Sequence, residues 1–139
     1  MKIRYIEEAP RIKDYNNLIS AVGWGEYKKE IMEKAFRNSL YFISAYDEEK
    51  LIGMARIVGD GVIFTYIQDV SVHPDYQGKN IGREIMSRIL EKISEYRCDN
   101  PKINTYLFSV KGKENFYRKF GFILREENDL GPGMSLKIK

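Results

Sequence analysis

One junction limits the fold more than any other part of the chain. Residues 62–72 form a long run rich in β-branched and aromatic side chains, closed by Pro74, which has no amide hydrogen to give a strand ladder. From Ile81 the apolar residues Ile85, Met86, Ile89, Leu90 and Ile93 recur at helical spacing as far as about Tyr96, with charged residues opposite. Between strand and helix lies Gln77-Gly78-Lys79-Asn80-Ile81-Gly82-Arg83, a short basic turn. The first amides of a helix have no intrahelical partners, and their partial positive charge, with Lys79 and Arg83, suits a phosphate or pyrophosphate. The plain alternative is a strand-to-helix connection capped by Asn80. Local spacing alone does not separate the two.

The rest of the pattern supplies a mixed α/β class. Residues 2–6 alternate as a first strand. A helix follows on Tyr15, Leu18, Ile19 and Val22 and stops at Gly23-Trp24-Gly25; a second, from about 26 to 38, carries Tyr27, Ile31, Met32, Ala35 and Phe36. Strands at 40–46 and 51–58 flank the polar turn 47–50, and Gly59-Asp60-Gly61 turns the chain into the long strand. After the central helix come a strand at 103–109, a short helix at 113–120 ended by Gly121, and two closing strands at 122–125 and 134–138. The expected order is βααβββαβαββ, a meander first and a crossover helix later, which no uniform βα repeat produces.

Composition narrows the function classes. A chain of 139 residues fits one domain, 1–139, with 43% hydrophobic and 31% charged residues as in ordinary globular proteins. The start, Met1 to Glu8, alternates and is acidic early, unlike a secretory signal, and no run is long enough to span a bilayer. A single cysteine, Cys98, forms no internal disulfide, and neither it nor the lone His73 sits in a zinc-ligand spacing. The expectation is a cytoplasmic protein, monomer or homodimer, without metal or membrane partner. The net charge of +3 is scattered rather than gathered into a stripe, so nucleic acid is not expected, while a polyanionic small molecule is. Neither Gly-x-x-x-x-Gly-Lys-Ser/Thr nor Gly-x-Gly-x-x-Gly occurs, which argues against nucleoside triphosphates and dinucleotides.

The turn Gln77-Gly78-Lys79-Asn80-Ile81-Gly82, preceded by Val72-His73-Pro74, resembles the acetyl-CoA signature of the GNAT superfamily of N-acetyltransferases, Gln/Arg-x-x-Gly-x-Gly/Ala after a strand ending in Val-x-Pro. Asn80 stands where that family usually has glycine; asparagine tolerates left-handed backbone better than most residues. The element order is also that of the GNAT (acyl-CoA N-acyltransferase) fold. A second stretch, Asn115-Phe116-Tyr117-Arg118-Lys119-Phe120-Gly121-Phe122, resembles the family's Phe-Tyr-x-x-x-Gly-Phe signature. The chain looks similar to small bacterial members and to plant plastid enzymes acting on arylalkylamines, through Ile67-Gln68-Asp69-Val70 and Phe116-Tyr117-Arg118.

The resemblance implies acetyl transfer from acetyl-CoA to a primary amine of a small molecule, directly in a ternary complex. It implies phosphate contacts from Gln77, Gly78, Lys79, Asn80, Ile81, Gly82 and Arg83, and pantetheine contacts from the backbone of Val70, Ser71 and Val72. Asn115, Phe116 and Tyr117 complete the cofactor side, with the Tyr117 hydroxyl as the acid that protonates the departing thiolate; the bland role of Tyr117 is a core residue. An amide near Val70 would hold the thioester oxygen, where charge develops only in the transition state. An alkylammonium must lose a proton before it attacks. Asp69, beside the proposed thioester site, ranks ahead of Glu26 as the base, and either is equally an ion-pair partner or an anchor for the substrate ammonium. Trp24, Glu26 and Tyr66, with Tyr27 and Phe64 nearby, would border the acceptor pocket, although core packing accounts for most aromatics. His73 belongs to the turn, and Cys98 is remote from acyl chemistry. The rival readings are acetylation of a protein or peptide amine, and an acyl-CoA-binding module without catalysis.

Overall fold

The structure, a computed structural model, describes residues 2–137. These fall into two compact units, one up to Tyr106 and one from Leu107 onward.

The first unit holds β1 (Ile3–Ile6), α1 (Ile12–Ala21), α2 (Lys29–Arg37), β2 (Tyr41–Asp47), β3 (Lys50–Gly59), β4 (Phe64–Val72), a 3-10 turn (Pro74–Tyr76) and α3 (Ile81–Asp99). Strand β5 (Asn104–Leu107) follows, and the sheet order is β1-β2-β3-β4-β5. The first four strands are antiparallel neighbours, as short turns dictate. The Asn104 amide donates to the Ile63 carbonyl at 2.8 Å and the Thr65 hydroxyl to the Asn104 carbonyl at 3.1 Å. The starts of β4 and β5 therefore lie level, and the α3 crossover makes this last pair parallel.

β3 explains the layering. Leu51 through Ala55 are all buried, as a strand covered on both faces requires. Leu51 and Met54 join Tyr15, Leu18 and Ile19 of α1 and Met32 of α2 in one cluster. Gly53 instead faces α3: a Cβ there would lie 2.9 Å from Ile85 Cδ1 and 3.5 Å from Ile81 Cγ2. The apolar stripe of α3, Ile81, Ile85, Met86, Ile89 and Ile93, is buried throughout.

Two expectations change. The second helix begins at Lys29, not near 26, because Trp24 packs on the α1/α2 cluster and Lys28 is still extended, so Glu26 and Tyr27 lie in an exposed connection. In the second unit, α4 (Glu114–Arg118) is followed by a 3-10 turn (Arg125–Asn128), and neither closing strand forms among the described residues. Local polar bonds take the place of a ladder there: the Asn128 side chain donates to the Leu124 carbonyl, and the Arg125 guanidinium to the Gly131 carbonyl. Asp129 turns left-handed between them, Pro132 has no amide to offer, and Met134 and Leu136 are exposed. Ile138, the last residue of the expected final strand, lies outside the described residues.

Candidate functional site

The turn between β4 and α3 is held by its own side chains. His73 Nδ1 accepts from the Asp75 amide at 3.1 Å and caps the 3-10 turn. The Gln77 side-chain amide folds back to donate to the Val72 carbonyl at 3.0 Å. Tyr76 donates to Asp47 at 2.5 Å, and its ring lies 5.6 Å from the ammonium groups of both Lys79 and Lys50. Gly78 (φ +78°) and Asn80 (φ +64°, ψ +14°) supply the left-handed steps that turn the chain into α3. Asn80 occupies the cap position but makes no side-chain capping bond. The backbone role of this asparagine is thus realised and the capping role is not, which leaves the first amides of α3 without that partner. A Cβ at Gly78 would meet nothing within 4 Å, so the turn is open to solvent at this residue. Lys79 and Arg83 are exposed beside it.

β4 is interrupted where chemistry is expected. Met54 opposes Ser71 and Arg56 opposes Gln68, so Asp69 and Val70 together face the single residue Ala55. This is a β-bulge. Asp69 adopts φ +58°, and its carbonyl accepts from the Ser71 hydroxyl at 3.0 Å. Its carboxylate is engaged: Oδ2 accepts from Arg56 Nε at 2.6 Å and from the Tyr15 hydroxyl at 3.1 Å. The Arg56 and Asp69 side chains are only 15% and 17% exposed. Burial, and then the neighbouring Asp69 charge, push the Tyr15 phenol well above its ordinary value, so it stays a donor. Of the roles open to Asp69, the ion-pair partner is the one the geometry displays. Arg56, Tyr15 and Gly53 were not among the site residues expected from sequence. A charged residue within an apolar strand and a glycine inside a strand were the signals for Arg56 and Gly53.

On the acceptor side, Trp24 is half-buried against the α1/α2 cluster, while Glu26 is exposed and makes no hydrogen bond or ion pair among the described residues. Tyr66 stands in a row with Tyr106 and Phe64, at ring separations of 5.5 and 6.4 Å, and Tyr106 is an addition to the expected aromatic wall. Tyr27 is 58% exposed. Cys98 is exposed at the far end of α3. Among the described residues no group of acidic, histidine or cysteine side chains is placed to hold a metal ion, and no helix is long and apolar enough to cross a membrane.

In the second unit, Tyr117 sits in α4 and is buried, flanked edge-on by Phe116 at 5.0 Å and Phe122 at 6.3 Å. Phe116 also meets Phe120 at 5.3 Å; Phe116, Phe120 and Phe122 are each partly buried rather than full core residues, and Asn115 is exposed. Burial raises the Tyr117 phenol above its ordinary value, so its hydroxyl keeps its proton at neutral pH. Gly121, at φ +96°, reverses the chain after the helix.

Comparison with known proteins gives a consistent result. The family model for the acetyltransferase (GNAT) domain matches residues 38–124. An uncharacterized ycf52-like N-acetyltransferase of Prochlorococcus marinus is 32% identical over 120 residues, which cover 84% of this chain and 64% of that one. A protein of Glycine max named histone acetyltransferase TAP1 is 27% identical over 122 residues, 80% of this chain and 51% of that one. The chain therefore spans less than two thirds of the length of these relatives. Among solved structures, a protein of unknown function from methicillin-resistant Staphylococcus aureus, described as a probable acetyltransferase, superposes with a TM-score of 0.88 at 30% identity, covering 99% of this chain and all (100%) of the other. With its β4–α3 turn, its element order through α4 and these matches in agreement, the chain belongs to the GNAT acetyltransferase family.

Proposed function

We propose that the protein transfers acetyl from acetyl-CoA to a primary amine of a small molecule. The observation that carries this reading is the turn into α3, where left-handed Asn80 leaves the helix amides without a side-chain cap beside Lys79 and Arg83. Gln77 through Arg83 would hold the pyrophosphate, and the backbone of Val70, Ser71 and Val72 the pantetheine arm. Asn115, Phe116 and Tyr117 are assigned to the cofactor by their signature. The thioester supplies an activated acyl carbon and a thiolate leaving group.

The neutral amine attacks that carbon, the Val70 amide donates to the oxygen on which charge grows, and the Tyr117 hydroxyl gives its proton to the departing sulfur. A phenol raised by burial suits this role as donor. Glu26, exposed and unpaired among the described residues, is free to meet the ammonium or take its proton, whereas the Asp69 carboxylate already holds two donors. Trp24 and Tyr66 would border the acceptor. Transfer is direct, since Cys98 at the far end of α3 is poorly placed for an acyl-enzyme.

The test is thiol release from acetyl-CoA against a panel of alkylamines, arylalkylamines, polyamines and basic peptides. Turnover of free amines is expected, with Tyr117→Phe lowering kcat by about 10²–10⁴, the usual worth of a general acid. Full turnover in Tyr117→Phe at every pH sinks the acid assignment. Binding of acetyl-CoA with no turnover on any amine supports the non-catalytic reading instead. The histone acetyltransferase name of one relative favours a protein acceptor as the second reading, which predicts turnover of the peptides alone.

A further inference from the structure

We propose that Arg56 is a positioning residue for acetyl transfer: through its ion pair with Asp69, supported by Tyr15, it holds the left-handed bulge that sets the direction of the Val70 amide. The proposal rests on the acetyltransferase reading above. Left-handed backbone is disfavoured for residues with a Cβ, least so for Asp and Asn, and a bulge adds an unpaired residue to the ladder, so side-chain contacts that favour this conformation bear directly on its persistence. The surroundings here are built for that. Arg56 Nε reaches Asp69 Oδ2 at 2.6 Å from the opposite strand, and the Tyr15 hydroxyl reaches the same oxygen at 3.1 Å from α1. The other arm of the guanidinium donates to the Ser39 hydroxyl at 2.9 Å, which donates in turn to the Ala35 carbonyl at 2.9 Å at the end of α2. The guanidinium carbon stands 5.8 Å from the centre of the Phe36 ring, and that ring meets Tyr15 edge-on at 5.1 Å. Ser71 secures the bulge from its other side through the Asp69 carbonyl.

A largely buried ion pair of this kind is weak evidence for stability, since the cost of removing both charges from water offsets much of their attraction. Its placement says more than its strength. The pair grips the one left-handed residue of β4, immediately before the amide assigned to the reaction. An oxyanion donor is effective only when it is aimed before charge develops. Arg56 and Tyr15 touch neither cosubstrate nor reacting atoms in this scheme. They act through Asp69.

The experiment compares the full chain with Arg56→Met, Arg56→Lys and Tyr15→Phe, reading kcat and KM by thiol release, acetyl-CoA affinity by calorimetry, and melting temperature. A parent protein that turns over no amine defeats the acetyltransferase reading, and this proposal with it. Given an active parent, Arg56→Met is expected to lower kcat by roughly 10- to 100-fold, part of the ~10²–10³ lost when an oxyanion donor is removed outright. The loss should be uniform from about pH 6 to 9, with acetyl-CoA affinity within about threefold of the parent and partial recovery in Arg56→Lys. A kcat within about twofold of the parent overturns the proposal. So does a loss confined to acid pH, which would mark the loss of a proton-transfer role rather than of the aim of an amide. If Arg56→Met melts below the assay temperature, Tyr15→Phe decides: kcat lowered about 2- to 5-fold at unchanged KM supports the proposal, and an unchanged kcat overturns it.

Discussion

Replacing Gly53 by alanine tests how the start of α3 is seated on β3. The new Cβ would lie 2.9 Å from Ile85 Cδ1 and 3.1 Å from the Ser71 carbonyl oxygen, with Ile81 Cγ2 at 3.5 Å. The isoleucine tip can rotate, but Ile85 is fully buried and has little space to enter. The carbonyl belongs to the β3–β4 ladder and moves only with the strand. Overpacking of this sort costs about 1–3 kcal/mol, and a rigid backbone neighbour places this site near 2 kcal/mol. With a urea m-value of about 1–3 kcal/mol/M, the unfolding midpoint should fall by roughly 1 M. Ile85→Val removes the offending Cδ1 at its own cost of about 0.5–1.5 kcal/mol. The double variant should therefore be more stable than the sum of the singles by about 1 kcal/mol. Since Ile81 and Ile85 form the first turns of α3, Gly53→Ala should also weaken acetyl-CoA binding more than it lowers kcat. A single variant within about 0.5 kcal/mol of the parent, or strict additivity in the double, would refute the close packing of α3 on β3.

Three further outcomes can be checked with the same protein. Asn80→Gly should leave stability and acetyl-CoA affinity close to the parent, because the side chain makes no cap, whereas Asn80→Ala should cost about 1–2 kcal/mol for left-handed backbone; a large gain in affinity for Asn80→Gly would instead mark the turn as a degraded motif and favour the non-catalytic reading. Asp60 Oδ1 accepts from the amides of Val62, Ile63 and Phe64 at 2.7–2.9 Å, and these bonds hold its carboxyl below the usual range. Its contribution is present above its unfolded value and is lost as pH falls through its lowered one, so Asp60→Ala should flatten that acid limb in equilibrium unfolding. Tyr15 and Tyr41 are both raised, by burial first and then by Asp69 in one case and a hydrogen bond to Glu7 in the other. The stability tied to their protonated hydroxyls is whole below pH ~10 and disappears as pH climbs through the raised values, so a Tyr15→Phe/Tyr41→Phe variant should lose less stability between neutral and strongly alkaline pH than the parent does.

The elements with a long period or a forced stop were legible in the sequence. Strand β4 ends where Pro74 demands, α3 begins at Ile81 as its apolar stripe predicts, and the β2–β3 turn lies at its polar tetrad. What escaped was decided by tertiary context. Trp24 binds the α1/α2 cluster and delays α2 to Lys29, and no local propensity announces that. The closing segment alternates like a strand, yet Asn128, Asp129 and Arg125 make local bonds that only the folded arrangement reveals. At the site, Asp69 was recognisable as a carboxylate in the right strand, but its partners lie 13 and 54 residues away in sequence, on β3 and α1, and a one-dimensional pattern does not pair them.

The bonds of His73 and Gln77 to the turn's own backbone have a kinetic and calorimetric consequence. A loop that closes around an anion must first lose chain entropy, and its binding is slow and accompanied by newly protected amides. Here the bonds of His73 and Gln77 hold the first part of the turn without any ligand. Acetyl-CoA should therefore associate at a rate set by diffusion and by the attraction of Lys79 and Arg83, slowing as salt is added. The Asp75 and Tyr76 amides, already bonded within the turn, should show nearly the same hydrogen-exchange protection with and without it, whereas the uncapped first amides of α3 should gain protection.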